Sequence, residues 1–321
     1  MSGASLDGVQ ILDLESGLRA AGIHPASISN LTEVGDGWEC RVFRLSRPEV
    51  EDVALRLYTG DPSGHTMQAE IAAYLALQEV DFPAPKLLAQ HSSTEPLGAP
   101  FVLIDWLDGP LADSLGVSPG SLEMLTGLLV RLHDIRPNPD LMKRHQIPVR
   151  SNREVMQGRR AWIEEVGLEG FHPALDWLTA RLASLEEIPL SYVHMDFHPR
   201  NVILTTEGPV VFDWGSFAVA DSRADLAWTL LLAEAYLGRE STDQIQSEYS
   251  RQRPDGMDDL AFFDVSSVWR RFAIIVTMLR EDHPSGVRDQ VRDAVRRLEP
   301  AYRRLTEITG TTIPEVEVLY Q

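Results

Sequence analysis

The feature that most constrains this chain is a change of hydrophobic rhythm near residue 107. Before it, apolar residues alternate or fall in short β-branched runs, and after it they recur at helical spacing. Residues 28–34, 38–45 and 53–58 read as three antiparallel strands. The first two are divided by Gly35-Asp36-Gly37, a turn in which both glycines can take positive φ. A helix fits residues 64–80, with Met67, Ile71, Tyr74, Leu75 and Leu77 giving a mostly one-sided face. Pro83 and Pro85 end it, because each restricts the residue before it. Strands over 86–90 and 100–106 complete a five-stranded set, and one more helix is expected at 6–22.

Beyond the connector at residues 107–110 the pattern is helical over 122–135, 153–166, 174–185, 223–237, 260–279 and 287–305. A small strand group interrupts it at 191–212. The expected class is therefore α+β. A five-stranded antiparallel N-terminal lobe (1–107) would precede a larger, mainly helical C-terminal lobe (108–321).

Composition closes off several functions. With 29 Lys and Arg against 48 Asp and Glu, the net charge is −19, which repels a phosphate backbone and an anionic membrane surface alike. No run reaches the roughly 20 apolar residues a membrane helix needs. The first eight residues lack the basic start and apolar core of a signal peptide. The single cysteine, Cys40, cannot form an intrachain disulfide and reads as a small apolar strand residue. These features point to a cytoplasmic protein that binds neither nucleic acid nor membrane. A monomer or homodimer is expected, and the sequence leaves that choice open. Lysine is nearly absent: Lys86 and Lys143 are the only two.

The chemistry concentrates in two stretches. His194, Asp196 and Asn201 sit on a polar loop between strand-like residues, and Asp213 ends the run Val210-Val211-Phe212-Asp213-Trp214-Gly215. Two strands lying side by side would bring the Asp196 loop, Asn201 and Asp213 to one edge. Two carboxylates and an amide oxygen are hard donors suited to magnesium. Phosphoryl transfer needs such a set, because the triphosphate charge must be neutralised and the attacking hydroxyl must be oriented and relieved of its proton.

The pattern His194-x-Asp196-x-x-x-x-Asn201, with Asp213 following, resembles the catalytic signature of the aminoglycoside phosphotransferase and choline kinase family, small-molecule kinases with a bilobal protein-kinase-like fold. The resemblance implies ATP or GTP as phosphoryl donor, Mg2+ as cofactor, and a small-molecule hydroxyl acceptor, with an aminoglycoside-type antibiotic leading. It implies Asp196 as the catalytic carboxylate, His194 as the residue that orients its loop, and Asn201 and Asp213 as metal ligands. Arg56 takes the place of the strand residue that touches the α- and β-phosphates, and Glu70 that of the glutamate paired with it. Gly35 and Gly37 cover the phosphates, while Asp105, Trp106 and Leu107 match the hinge whose backbone meets adenine. Asp225 falls in the segment that buttresses the catalytic loop.

Arg56 departs from the family's usual lysine: a guanidinium is a planar fork, not a point charge. The glycine turn is also thinner than a full phosphate loop. Asp213-Trp214-Gly215 and the lack of a following Ala-Pro-Glu separate the chain from protein kinases. Other readings stay open. They are a metabolic kinase for an amino alcohol, sugar or hydroxy acid, and a nucleotide-binding pseudokinase module.

Charge leaves the acceptor undecided. The acids of the last hundred residues (Asp255, Asp258, Asp259, Asp264, Glu281, Asp282) could meet a polycation or simply face solvent. The bases Lys143, Arg144, Arg150, Arg153, Arg159 and Arg160 would favour a carboxylate or phosphate if they lined the cleft. His198 has a structural and a substrate-facing reading. Trp162, Trp177, Trp228 and Trp269 read as core.

Overall fold

The computed structural model describes residues 18–19, 28–36, 40–61, 63–94, 97–280 and 285–321. Most of the helix expected at 6–22, together with Gly37 and Trp38 of the turn, lies outside the described residues. The chain forms two compact units, each discontinuous in sequence. The first takes in residues 1–114, 138–148 and 200–217, and the second 115–137, 149–199 and 218–321.

The first unit is built on an antiparallel sheet of order β1-β2-β3-β5-β4: β1 Asn30–Asp36, β2 Arg41–Ser46, β3 Val53–Leu57, β4 Leu87–His91 and β5 Phe101–Asp105. On β2 the buried residues alternate, Phe43 and Leu45 facing inward, whereas central β3 is buried throughout. Phe43, Leu45, Val53, Leu55, Leu57, Phe101 and Leu103 make one apolar cluster. Helix α1 (His65–Glu79) follows Gly64, whose φ of 70° is accessible to glycine without strain. Asp61 Oδ2 accepts the Met67 N–H at 3.0 Å and so satisfies one open donor of the first turn. Helix α1 buries Glu70 along with Met67, Ala73, Tyr74 and Leu77. A short helix, α2 (Pro139–His145), packs on α1 through Arg144 and His145, both paired with Glu79.

Gly35 corrects the sequence reading. It lies within β1 opposite Val42, at a register shift between Glu33 and Gly35, and does not adopt a positive φ. An irregular strand with an extra residue accounts for the glycine there.

The second unit is mainly helical: α3 Pro119–Asp134, α4 Asn152–Val166, α5 His172–Arg181, α6 Ser222–Leu237, α7 Arg239–Gln252, α8 Leu260–Arg280, α9 Ser285–Thr309 and α10 Pro314–Glu317. Sequence chemistry sets several boundaries. Ser118 with Ser121, and Ser151 with Glu154, form reciprocal caps at the starts of α3 and α4, and Gly167 closes α4 in the left-handed region. Trp269, Phe171, Phe263 and Phe272 are fully buried in a core that Trp162 and Trp177 edge and Trp228 joins, as the sequence reading held. Among the described residues no helix is long and apolar enough to cross a membrane.

The strand group at 191–212 is two structures. β6 (Ser191–Val193) pairs with β9 (Ala218–Ala220) in the second unit, and β7 (Val202–Thr205) pairs with β8 (Gly208–Val211) in the first. The expected side-by-side pair is thus realised only by β7 and β8. Helices α2 and α7 and strand β9 carry too little apolar rhythm to be read from sequence. On α7 only Ile245 and Tyr249 are buried among the large side chains.

Candidate active site

In the first unit, β3 and α1 bring Arg56 against Glu70. Arg56 Nη2 donates to Glu70 Oε1 at 2.7 Å and to Asp213 Oδ1 at 3.1 Å. Tyr58, two residues along β3, donates its hydroxyl to the other oxygen of Glu70. Burial pushes the Glu70 carboxyl up, and Arg56 draws it down while Asp213 adds to the rise, so that it sits at about 7. The Arg56 guanidinium is buried, yet its Nε has no hydrogen-bond partner.

Asp213 follows β8 with φ 66°, an uncommon conformation for a residue with a Cβ, and its carboxylate remains nearly half exposed. Asn201 precedes β7 and is buried, and its carbonyl accepts the Phe212 N–H at 3.0 Å. The β7–β8 hairpin therefore sets Asn201 beside the segment that ends in Asp213. Among the described residues no three His, Cys, Asp or Glu side chains gather as a self-sufficient metal site. One carboxylate and one amide oxygen fit a magnesium ion that takes its other ligands from phosphate and water.

Asp105, Trp106 and Leu107, expected as the hinge, lie at and just beyond the end of β5. The Asp105 carboxylate accepts the Lys86 N–H at 2.7 Å, a bond that ties the start of β4. The Trp106 N–H donates to Asp52 O at 3.2 Å, its indole donates to Asp108 at 2.8 Å, and the Arg44 guanidinium covers the ring at 4.6 Å.

In the second unit the loop after β6 is held from below. The buried Asp225 of α6 accepts the His194 N–H at 2.7 Å and the Met195 N–H at 2.8 Å, and lies 3.1 Å from His133 Nε2. Burial raises the Asp225 carboxyl, but His133 and His194 outweigh it and keep the group below its ordinary value. Met195 takes φ 64° in this turn. His194 is fully buried and its Nδ1 accepts the Asp196 N–H at 3.2 Å, an orienting position. Asp196 Oδ1 accepts the Trp228 indole N–H at 3.1 Å, and Oδ2 lies 3.6 Å from His198 Nε2. Burial opposes ionisation of Asp196, yet His198, Trp228 and His194 together hold it well below the usual carboxylate range. His198 is thus a partner of Asp196, and the far side of its ring lines a small apolar recess with Leu125, Leu129, Phe197 and Ile245.

Sequence reasoning missed Tyr58 and Trp228 as members of this arrangement. The first carried no signal. Trp228 stood at a core position and also donates to Asp196, a second duty that apolar spacing does not report. The expected basic stretch does not act as one patch: Arg144 pairs with Glu79, Arg160 with Asp176, and Arg159 bonds Ser266.

A model of the phosphotransferase enzyme family matches residues 30–263, which takes in Arg56, Glu70, the 194–201 loop, Asp213 and Asp225. The chain belongs to that family. A search of curated proteins finds no match. Among solved structures, this phosphotransferase is similar to a choline/ethanolamine kinase family protein from Mesorhizobium loti, with 17% identity and TM-score 0.64, over 96% of this chain and 100% of the other. It is also similar to a thermostable mutant of aminoglycoside phosphotransferase APH(4)-Ia in ternary complex with ADP and hygromycin B, with 14% identity and TM-score 0.62, over 92% and 97% of the two chains. A third likeness is to APH(2")-IIia in its GDP and kanamycin complex, with 16% identity and TM-score 0.60, over 88% and 94%. At these identities the likeness shows the fold: the bilobal, kinase-like α+β architecture expected from the sequence.

Proposed function

We propose that this phosphotransferase moves the γ-phosphoryl group of ATP or GTP to a hydroxyl of a small molecule. The observation that carries the reading is the shared Nη2 of Arg56, which meets Glu70 on α1 and Asp213 beyond β8 although the two acids are far apart in sequence. That arrangement supports a phosphate-binding cation beside a metal-binding carboxylate, with one arginine nitrogen standing where the family has lysine. The turn containing Gly35 and Gly37 would cover the phosphates, and the backbone of residues 105–107 would meet the base.

Asn201 and Asp213 would hold Mg2+, which supplies charge neutralisation for the triphosphate when bound. Asp196 orients the acceptor hydroxyl and takes its proton. The oxygen so released forms the new bond to the γ-phosphorus while the bond to the β,γ-bridging oxygen breaks, leaving the nucleoside diphosphate. The carboxylate form of Asp196, favoured by His198 and Trp228, suits that task. His194 and Asp225 position the loop.

Two of the acids that could meet an aminoglycoside are already engaged, since Asp264 faces Arg304 and Asp259, with the Asp258 carbonyl, faces Arg223. These pairs weigh toward a metabolic acceptor.

The test is Asp196→Ala in the full chain. Nucleotide binding should survive while acceptor-stimulated ADP release falls by about a thousandfold or more. Equal turnover in the variant would overturn the assignment, and loss of nothing because the wild type has no turnover with any acceptor would favour the pseudokinase.

A further inference from the structure

Four arginines of the second unit lie around Arg270, the one of them near Asp196, and none is in an ion pair among the described residues. Arg270 of α8 stacks its guanidinium on the Trp228 ring at 4.1 Å, the same indole that donates to Asp196 at 3.1 Å, and reaches the Met195 carbonyl at 3.4 Å. Arg159 of α4 donates to Ser266 Oγ at 2.7 Å, one turn before Arg270 on α8, and lies over Trp269 at 5.3 Å. Arg271 donates to the Tyr236 hydroxyl at 3.3 Å, and the Tyr236 ring sits 6.5 Å from that of His198. Its Nε is buried without a partner. Arg150, exposed, begins the group where its N–H joins Val219 O of β9 at 2.9 Å.

Acids outnumber bases 48 to 29, and several arginines elsewhere (Arg41, Arg44, Arg56, Arg160, Arg223, Arg304) are matched to a carboxylate, while Arg47 and Arg280 bond carbonyls and Arg181 covers a ring. Here like charges crowd: burial lowers Arg270 to about 10, with Arg150 and Arg271 adding to the fall and Asp196 opposing it, and burial with Arg270 lowers Arg159 to about 9. Holding Arg159, Arg270 and Arg271 part-buried with no carboxylate at ion-pair distance among the described residues costs folding energy that an anionic partner would return. Stacked on rigid indoles, guanidinium forks are preorganised for carboxylate or phosphate oxygens.

We infer that Arg150, Arg159, Arg270 and Arg271 form an acceptor subsite for an anionic group, so that the hydroxyl presented to Asp196 belongs to a hydroxylated carboxylate or phosphate ester and not to a polycation. The inference rests on the phosphotransferase reading for the role of Asp196, but the anion subsite itself can be tested without turnover.

Trp228 and Trp269 lie under two of the arginines, so tryptophan fluorescence of the full, nucleotide-free chain reports occupancy. Gluconate or glucose 6-phosphate should give a saturable change, and glucose and kanamycin none. The two anions distinguish a carboxylate from a phosphate subsite. Affinity for the bound anion should fall about tenfold in Arg150→Gln and in Arg159→Gln, and Arg159→Lys should recover part of it. Arg150 is exposed, so its variant should fold even if Arg159→Gln does not. Kanamycin binding in place of the anions, no saturable anion response in the wild type, or anion affinity unchanged in Arg150→Gln would each overturn the subsite. Phosphoryl transfer is read separately. Anion binding without transfer from Mg·ATP would keep the subsite and sink the kinase reading, while transfer to kanamycin alone would keep the kinase reading and sink the subsite.

Discussion

Arg56 Nη2 lies 2.7 Å from Glu70 Oε1, a buried contact that joins the central strand of the sheet to α1. The same nitrogen reaches Asp213, so removing the guanidinium unties two proposed functional acids at once. Arg56→Ala should raise the nucleotide KM about tenfold and lower turnover by a further factor of about ten to a hundred. It should also cost about 3 kcal/mol in urea denaturation, because Glu70 loses its buried partner. Arg56→Lys should recover part of both, since both bonds come from one nitrogen and an ammonium carries three N–H donors. Unchanged kinetics in Arg56→Ala would remove this residue from the site.

Glu70 makes stability depend on pH in a direction opposite to that of most carboxylates. Its folded-state value of about 7 lies above its ordinary 4.5, so between these the native protein holds a proton that the unfolded chain has released. The stability so gained is complete below 4.5 and is lost as pH rises through 7. A shift of that size corresponds to about 3 kcal/mol. Glu70→Gln keeps the shape of the side chain and removes the titration. Denaturant midpoints of the nucleotide-free protein, compared between pH 5 and pH 7.5, should fall with pH more in the wild type than in the variant. Parallel curves would show that Glu70 does not carry the effect.

The parts of the candidate site proposed from the sequence are those whose chemistry admits few residue types at fixed separations: Asp196, Asn201 and Asp213, with Arg56 and Glu70 placed by family resemblance. The arginine cluster was not legible. Arg150 and Arg159 stood out as members of a basic stretch, but Arg270 and Arg271 lie on α8, and only the packing of α4 against it through Ser266 brings the two sets together. The fold shows the same division. Period and turn residues reported each strand of the large sheet to within a few residues, because they record which face of an element is buried. They do not record the partner. Nothing local in Ser191-Tyr192-Val193 says that it pairs with Ala218-Val219-Ala220 instead of the nearer β7, or that residues 138–148 and 200–217 group with the sheet.

His198 sits 3.6 Å from Asp196 Oδ2 and is, after burial, the largest influence on that carboxyl. Burial favours the protonated acid and His198 favours the carboxylate, so removing the imidazole raises the Asp196 pKa. In His198→Ala the acid limb of the kcat/KM profile should move to higher pH, with turnover near pH 8 reduced much less than in Asp196→Ala. Trp228→Phe should shift it in the same direction, since it removes the other side-chain donor. An acid limb that stays in place in both variants would show that neither group tunes Asp196.

Gly109 is held where no side chain fits. With φ 156°, a Cβ added there would lie 2.1 Å from the Leu204 carbonyl oxygen and 2.7 Å from its carbon. The neighbouring contacts leave little room to move, because the Leu204 N–H donates to Pro110 O at 2.9 Å and Leu111 bridges Ile203. These bonds fix β7, the strand that Asn201 introduces. Gly109→Ala must therefore push the 109–111 segment away from β7, at about 2 kcal/mol or more in thermal or urea unfolding. Because β7 loses that anchor and the proposed metal amide of Asn201 directly precedes it, the Mg2+ requirement for nucleotide binding should rise as well. Gly127, within α3, has nothing within 4 Å of an added Cβ, and Gly127→Ala should be neutral or stabilising by up to about 1 kcal/mol. Only a contact-specific clash separates the two substitutions, so equal midpoints for both would mean that the backbone at Gly109 yields freely and that β7 is not anchored there.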